Sequence, residues 1–443
     1  MPVKVTIIGG GSSMFVPLLL RRFLAAPCML GGTVVLMDVD AQRLEVMASL
    51  ARALVASEGA DLAIESTLDQ RESLAGADFV IVAIAVGGMP AWENDIEIPG
   101  RYGVFMHIAD SIGPGGMLRA FRNLPVIESI CSDLAEVSPG AWVFNYTNPA
   151  SAVAAVLRDA PAVRSASLCS CTGAPSDPAW LAELAGVQPE EILTPVPVGG
   201  LNHCAGISEL RLRDGRDAMP LVRARAEEPV VRWVIDTFGM IPYCWAHWVE
   251  FFPQLQRLEE PYNGRAQGLA MSFGRRIYVM DNERGRAKVW NDLAERWSLP
   301  EHAAEVSLAN LPSGPEDAGI EVVDVIQALV ESRGERYIVN VRNGGAIPNL
   351  PADAIVEVQA VVDGYGIHPV ATGPLRDSLA AHLRVHSTTQ ELTVRAALSG
   401  DRQIALEAFL LDPLLAATLT AEETARLLDE MLEANAAHLP RFA

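Results

Sequence analysis

The sequence predicts an α/β fold: a doubly wound parallel sheet in the N-terminal part, followed by a mixed α+β part. Three observations carry this expectation. Over the first 145 residues, β-branched or continuously apolar runs alternate with stretches of helical period. Strands apolar on both faces belong to parallel sheets covered by helices on each side. The first run ends in Gly9-Gly10-Gly11 and leads straight into a helical pattern, the strand–turn–helix opening of a Rossmann-type unit. After about residue 200 helical segments mix with short alternating runs, and 374–438 reads as almost wholly helical.

The elements follow in order. Residues 3–8 form the first predicted strand and 16–26 a helix. Residues 33–37 form a second strand, closed by Asp38, and 41–58 a long amphipathic helix. FVIVAIA (79–85) reads as a strand buried on both faces, 123–136 as a helix, and AWVFN (141–145) as a further strand. In the later part, 336–341 and 354–362 carry strand alternation. The expected division is 1–198 for a cofactor-binding domain and 199–443 for an α+β domain with substrate, metal and oligomer contacts. No repeat or low-complexity linker separates them, so tight packing is expected.

The chain of 443 residues is half hydrophobic and carries a net charge of −21. Such acidity repels phosphates and excludes a nucleic-acid partner. The longest apolar stretch, 79–92, contains Gly87, Gly88 and Pro90, which fits a buried strand and turn rather than a membrane span. Residues 1–11 lack the pattern of a signal peptide. The expected compartment is the cytoplasm, with no membrane partner. There the six cysteines, none in a CxxC pair, should be thiols.

Glycines after the first strand let a pyrophosphate approach the backbone, and the helix N-terminus supplies N–H donors. Gly9 and Gly11 fit GxGxxG, while Met14 stands at the third glycine. Asp38 can accept both ribose hydroxyls and repels a 2′-phosphate, which favours NAD over NADP. Its other reading is a cap for the helix from Ala41. Ser12, Ser13, Met14, Val86 and Asn145 complete the expected cofactor-contacting set.

Further motifs arrive in a characteristic order: IIGGGS (7–12), DIEIPGRYG (95–103), DSIGPGGMLRAFRNLPV (110–126), NYTNPA (145–150), LCS (168–170), GLNH (200–203), NGGAIPNLPADAIVEV (343–358) and ELTVRAALSGDRQIALEAFLLDPL (391–414). Together they resemble glycoside hydrolase family 4, over residues 3 to about 420 and closest to its α-galactosidase/α-glucuronidase-like branch. The resemblance implies a lactate/malate-dehydrogenase-like fold. It also implies glycoside hydrolysis by oxidation at sugar C3 with NAD, removal of the C2 proton, elimination, water addition and re-reduction, aided by manganese or another divalent metal.

The resemblance carries roles onto individual residues. Cys169 and His203 match the metal ligands. Cys171 would face the same way along a continuing strand, so the choice between the two cysteines rests on the motif. Asn148 and Asn202 are expected at the substrate, Asn148 with an alternative as an N-cap. Asp110 lies in the segment that closes over the sugar, ahead of the Gly113-Pro114-Gly115-Gly116 turn. His247 and Glu250 resemble the HxxE segment of the branch acting on unphosphorylated sugars, and Glu250 is placed at the substrate. An equally open reading is a solvated helix face.

The sequence also departs from the pattern. Ala85 replaces the arginine of the phosphosugar branch, Phe251 stands where a tyrosine is sought, and Ser170 occupies the acid position. Tyr243 and His247 remain as base candidates. Arg275 is assigned to substrate binding, and Arg101, Arg119 or Arg275 could meet an anionic group. The expected substrate is an unphosphorylated hexoside or uronide of the α-galactoside, α-glucoside or α-glucuronide class. A homodimer or homotetramer is expected. The alternatives are an NAD-dependent hydroxy-acid or sugar dehydrogenase, and a catalytically impaired NAD-binding sensor.

Overall fold

The computed structural model describes residues 2–106, 108–257, 285, 288–297, 299–311 and 320–442. Strands β1 (Lys4–Ile8), β2 (Gly32–Met37), β3 (Leu62–Thr67), β4 (Phe79–Val82), β5 (Trp142–Asn145) and β6 (Arg164–Ser167) pair in parallel in the order 3-2-1-4-5-6. That order reverses direction between β1 and β4, and the crevice at such a switch point is where doubly wound sheets take ligands. The predicted parallel sheet is therefore present.

The sheet does not stop there. β10 (Glu335–Arg342) joins β6 at the Asn340–Ser167 pair, β11 (Ile355–Asp363) runs antiparallel to β10, and β7 (Val198–Leu201), β8 (Cys204–Ile207) and β9 (Ile241–Pro242) follow outward. β12 (Gly366–Pro369) pairs with β11. Among the described residues one twelve-stranded sheet thus runs from the switch-point crevice into the α+β part.

Helices cover both faces. On one side α1 (Phe15–Ala25) and α2 (Ala41–Ser57) pack with the helix Val322–Glu331 in a core containing Phe23, Leu50, Phe144 and Ile326. On the other, α3 (Gln70–Leu74), α4 (Gly88–Arg101), α5 (Gly113–Val137) and α6 (Ala150–Asp159) meet the C-terminal helices Asp377–Ser399, Arg402–Leu411 and Ala421–Ala434 around Phe121 and Phe409. The predicted helical tail is thereby placed against the first half of the chain. Arg122 on α5 clamps α4 through a buried bidentate pair with Asp95, at 2.9 and 2.5 Å. The geometry suits a guanidinium fork.

Several local expectations change. The predicted strand 79–85 ends at Val82: Ala83 N–H still reaches Ile8 O (2.9 Å), but beyond it the donors turn to side chains, Ile84 N–H to Thr147 Oγ1 (2.9 Å) and Val86 N–H to Asn123 Oδ1 (3.0 Å). The glycine turn at 113–116 is instead the start of α5, ten residues before the predicted helix start. Pro114 sits in its first turn, where a missing N–H costs nothing. Cβ atoms on Gly115 and Gly116 would lie 2.7 Å from Ala109 Cβ and 2.6 Å from the Ser111 carbonyl carbon, so both glycines are needed for the 108–112 segment to close on the helix. No helix among the described residues is long and apolar enough to cross a membrane.

Candidate active site

The crevice at the glycine turn forms first. Gly9 and Gly10 N–H both donate to Met37 O, at 2.9 and 2.7 Å, which folds the turn over the end of β2. A Cβ on Gly10 would lie 2.7 Å from Met37 N, and one on Gly11 3.0 Å from Asp38 Oδ2. These glycines therefore make a cradle that side chains would fill. Ser12 caps the turn through Oγ, accepting from Phe15 N–H at 3.2 Å. Ser13 and Met14 precede α1, and the side chain of the N-cap residue Met14 makes no capping hydrogen bond. Asp38 Oδ2 accepts from Gly11 N–H (2.9 Å) and Oδ1 from Asp40 N–H (3.0 Å). The cap of α2 is Asp40, whose side chain accepts from Gln42 and Arg43 N–H, so Asp38 is free of that role. Asn145 is fully buried and spends its amide on Thr147 and Ser167, while Val86 lies in the turn before α4.

A second cluster lies where β6, β7 and the helix Trp245–Phe251 converge. Asn202-His203 is the two-residue loop between β7 and β8, and His203 adopts φ +67°. Non-glycine residues hold that conformation only at a cost, which concentrates at functional positions. His203 stacks on His247 with ring centroids 3.7 Å apart. Its Nδ1 lies 2.7 Å from Ser111 Oγ, which donates to Asp110 Oδ1 at 2.6 Å. Asp110 Oδ2 accepts from Asn148 Nδ2 (2.8 Å), and Oδ1 faces His247 Nε2 at 3.5 Å. Burial by itself would raise the Asp110 carboxyl, but His247, His203 and Arg119 together hold it well below the usual carboxylate range. Arg119 stacks over Trp92 at 4.9 Å. Arg101 is exposed and paired with Glu430.

His247 and Glu250 are 8% and 0% exposed, which overturns the solvated-face reading of their segment. Glu250 Oε1 accepts from Ile108 and Ala109 N–H, at 2.7 and 2.9 Å, and so braces the segment that presents Asp110. Tyr243 donates to Glu357 Oε1 at 2.5 Å. Burial and the Glu357 charge push its phenol well above the ordinary value, so it keeps its proton at neutral pH. Glu357 Oε2 also accepts from Asn202 and Asn340, both at 2.8 Å.

The strand does not continue through Cys171. β6 ends at Ser167, and Ser170–Thr172 is a 3-10 turn in which Cys169 Sγ accepts from Cys171 N–H at 3.4 Å. Both cysteines still reach one place, because the turn folds Cys171 back. Their sulfurs and that of Cys244 lie within 4.8 Å of one another, as do Cys244 and one nitrogen each of His203 and His247. Hydrogen bonds from Cys169 and Cys244 draw the Cys171 thiol well below its ordinary value, and the same contacts push Cys244 up. Thiols and imidazoles so gathered are a fitting donor set for a divalent cation. Ser170 sits in the turn, half-buried, and Arg275 lies outside the described residues.

Sequence reasoning missed four members of this site: Ser111, Cys244, Asn340 and Glu357. Glu357 had a signal, a lone carboxylate in the apolar run 354–362. Cys244 had a weaker one, three residues before His247. Nothing local marks Asn340, whose position follows from the pairing of β10 with β6.

Fold and site define an α/β enzyme with a glycine-cradled crevice and an adjoining thiol–imidazole–carboxylate centre. The family model for family 4 glycosyl hydrolases matches residues 4–175, and the model for their C-terminal domain matches 198–415. The chain belongs to this family of glycosidases. It is 30% identical over 456 residues to an α-galactosidase of Rhizobium meliloti, covering 99% of this chain and 90% of that protein. It is 28% identical over 476 residues to an α-galacturonidase of Lachnoclostridium phytofermentans, covering 99% and 97%. A 6-phospho-α-glucosidase from gut microorganisms, solved in complex with NAD and Mn2+, superposes with a TM-score of 0.79 at 24% identity, covering 99% of each chain.

Proposed function

We propose that this glycosidase hydrolyses the O-glycosidic bond of an unphosphorylated hexoside or uronide, using NAD and a divalent cation such as manganese. The observation that supports this best is the convergence of Asp110, Asn148, Cys169, His203 and His247 beside the cofactor crevice. In this reading residues 1–198 hold the dinucleotide, and 199–443 supply substrate, metal and oligomer contacts. The expected homodimer or homotetramer and the cytoplasmic setting belong to the same proposal.

Gly9, Gly10 and Gly11 admit the pyrophosphate, and Asp38 receives the ribose hydroxyls. Cys169 and His203 are the cation's ligands. When bound, NAD supplies reversible hydride acceptance and the cation Lewis acidity at the sugar oxygens. Asn148 and Asn202 orient sugar hydroxyls, and the Asn202 carbonyl oxygen is buried with no partner among the described residues. His247 Nε2, likewise buried without a hydrogen-bond partner among them, is the atom placed to take a proton, with the ionised Asp110 stabilising the imidazolium that results. Tyr243, bound to Glu357, holds its proton and acts as a donor. Ala85 removes the arginine expected of a phosphosugar enzyme, and Arg119 supplies the local positive charge that a uronide carboxylate needs.

The test is hydrolysis of galactosides and galacturonides in heavy water with NAD and manganese, followed by NMR of the product. Solvent deuterium at C2, lost on chelation and in Cys169→Ser, is expected. A fully retained C2 proton in product formed without NAD would refute the redox route and leave a glycosidase of another mechanism.

A further inference from the structure

The proposed function uses Cys169 and His203 and leaves two thiols of the same pocket unexplained. Cys169, Cys171 and Cys244 form one donor set and His203, Cys244 and His247 another, each within 4.8 Å, with Cys244 common to both. All six cysteines are free thiols. Four of the five donors are buried and Cys171 is half-buried. A tetrahedral zinc site with Zn–S near 2.3 Å places its sulfurs about 3.8 Å apart. Closing the three sulfurs onto such an ion takes shifts of about an ångström or less from each, and the imidazole, grouped with Cys244 but not with Cys169 and Cys171, must swing toward it as fourth ligand.

We propose that Cys169, Cys171 and Cys244, with His203 or His247, form a closed tetrahedral site for a thiophilic divalent cation of the zinc class, which competes with the catalytic cation. Thiolates and imidazole select zinc-class ions, whereas manganese suits oxygen donors and keeps water. Four protein ligands leave a tetrahedral ion no open position, which is the hallmark of a structural rather than a catalytic site. Occupancy of this kind therefore shuts the sugar oxygens out, and zinc acts as an inhibitor through the chain's own cysteines. The inference rests on the proposed function only in sharing Cys169 and His203 with it.

Cobalt(II) is the probe, because it reports thiolate ligation by a sulfur-to-metal band in the near ultraviolet. The full chain, reduced and stripped of metal, is titrated with cobalt and then with zinc or manganese. The expected band weakens stepwise in Cys171→Ser and Cys244→Ser, and stoichiometric zinc abolishes it while excess manganese does not. A single-thiolate band indifferent to both substitutions overturns the closed site and leaves the proposed function standing. Failure to retain any cobalt, zinc or manganese on ultrafiltration overturns both. The wild type offers a second reading that needs no variant: zinc should protect Cys171 and Cys244 from alkylation, scored residue by residue by mass spectrometry. Equal modification of both with and without bound zinc sinks the inference.

Discussion

Glu250→Ala separates bracing of the Asp110 segment from direct contact with sugar. The Glu250 carboxylate is fully buried and accepts two backbone N–H donors, from Ile108 and Ala109, at 2.7 and 2.9 Å. Removing it strands both donors away from water. A buried donor without a partner costs about 1–3 kcal/mol, so the pair costs about 2–6 kcal/mol before any lost packing. Glu250→Gln keeps one acceptor oxygen and forfeits only the charge-assisted increment, about 1 kcal/mol. Urea denaturation followed by tryptophan fluorescence suits the measurement, since Trp248 lies on the same helix and is fully buried. Turnover should fall in Glu250→Ala with Asp110 displaced, and Glu250→Gln should recover most stability and part of kcat. If Glu250→Ala costs under about 1 kcal/mol and raises KM at unchanged kcat, the carboxylate meets the sugar and the bracing argument fails.

Two further outcomes are expected. Asp38→Ala should weaken NAD binding at least tenfold, about 1.4 kcal/mol, by removing a ribose acceptor and the Gly11 contact at 2.9 Å; calorimetry showing equal NAD and NADP affinity in the wild type would contradict it. Asp412 caps a short helix, accepting from Leu414 and Leu415 N–H at 3.0 and 3.2 Å, and burial pushes its carboxyl up to about 6, against the pull of those bonds. A raised folded-state pKa gives stability that is complete below about pH 4 and lost as pH rises through about 6. Asp412→Asn keeps the cap without the charge, so its stability relative to the wild type should rise by up to about 3 kcal/mol from pH 4 to 8. A pH-independent difference in urea midpoints would refute the assignment.

The sequence by itself determined the parallel sheet, its glycine cradle and Asp38. These are local: a strand, a turn and a helix start lie within a dozen residues, and side-chain period reports burial on both faces. Asp110, Asn148, Cys169, His203 and His247 were legible as motifs, each in its own short segment. What only the tertiary structure decided is how those segments meet. Pairing of β10 with β6 sets Asn340 beside Ser167, and the β11–β7 register carries Glu357 to Gly200. Tyr243, Asn202 and Cys169 are thereby brought around one buried carboxylate. The bracing bonds of Glu250, expected at the substrate, arise for the same reason. Its partners, two backbone donors some 140 residues away, belong to a segment whose path is fixed by packing against α5. A sequence pattern reports which face of an element is apolar, but not which distant backbone will need its charge.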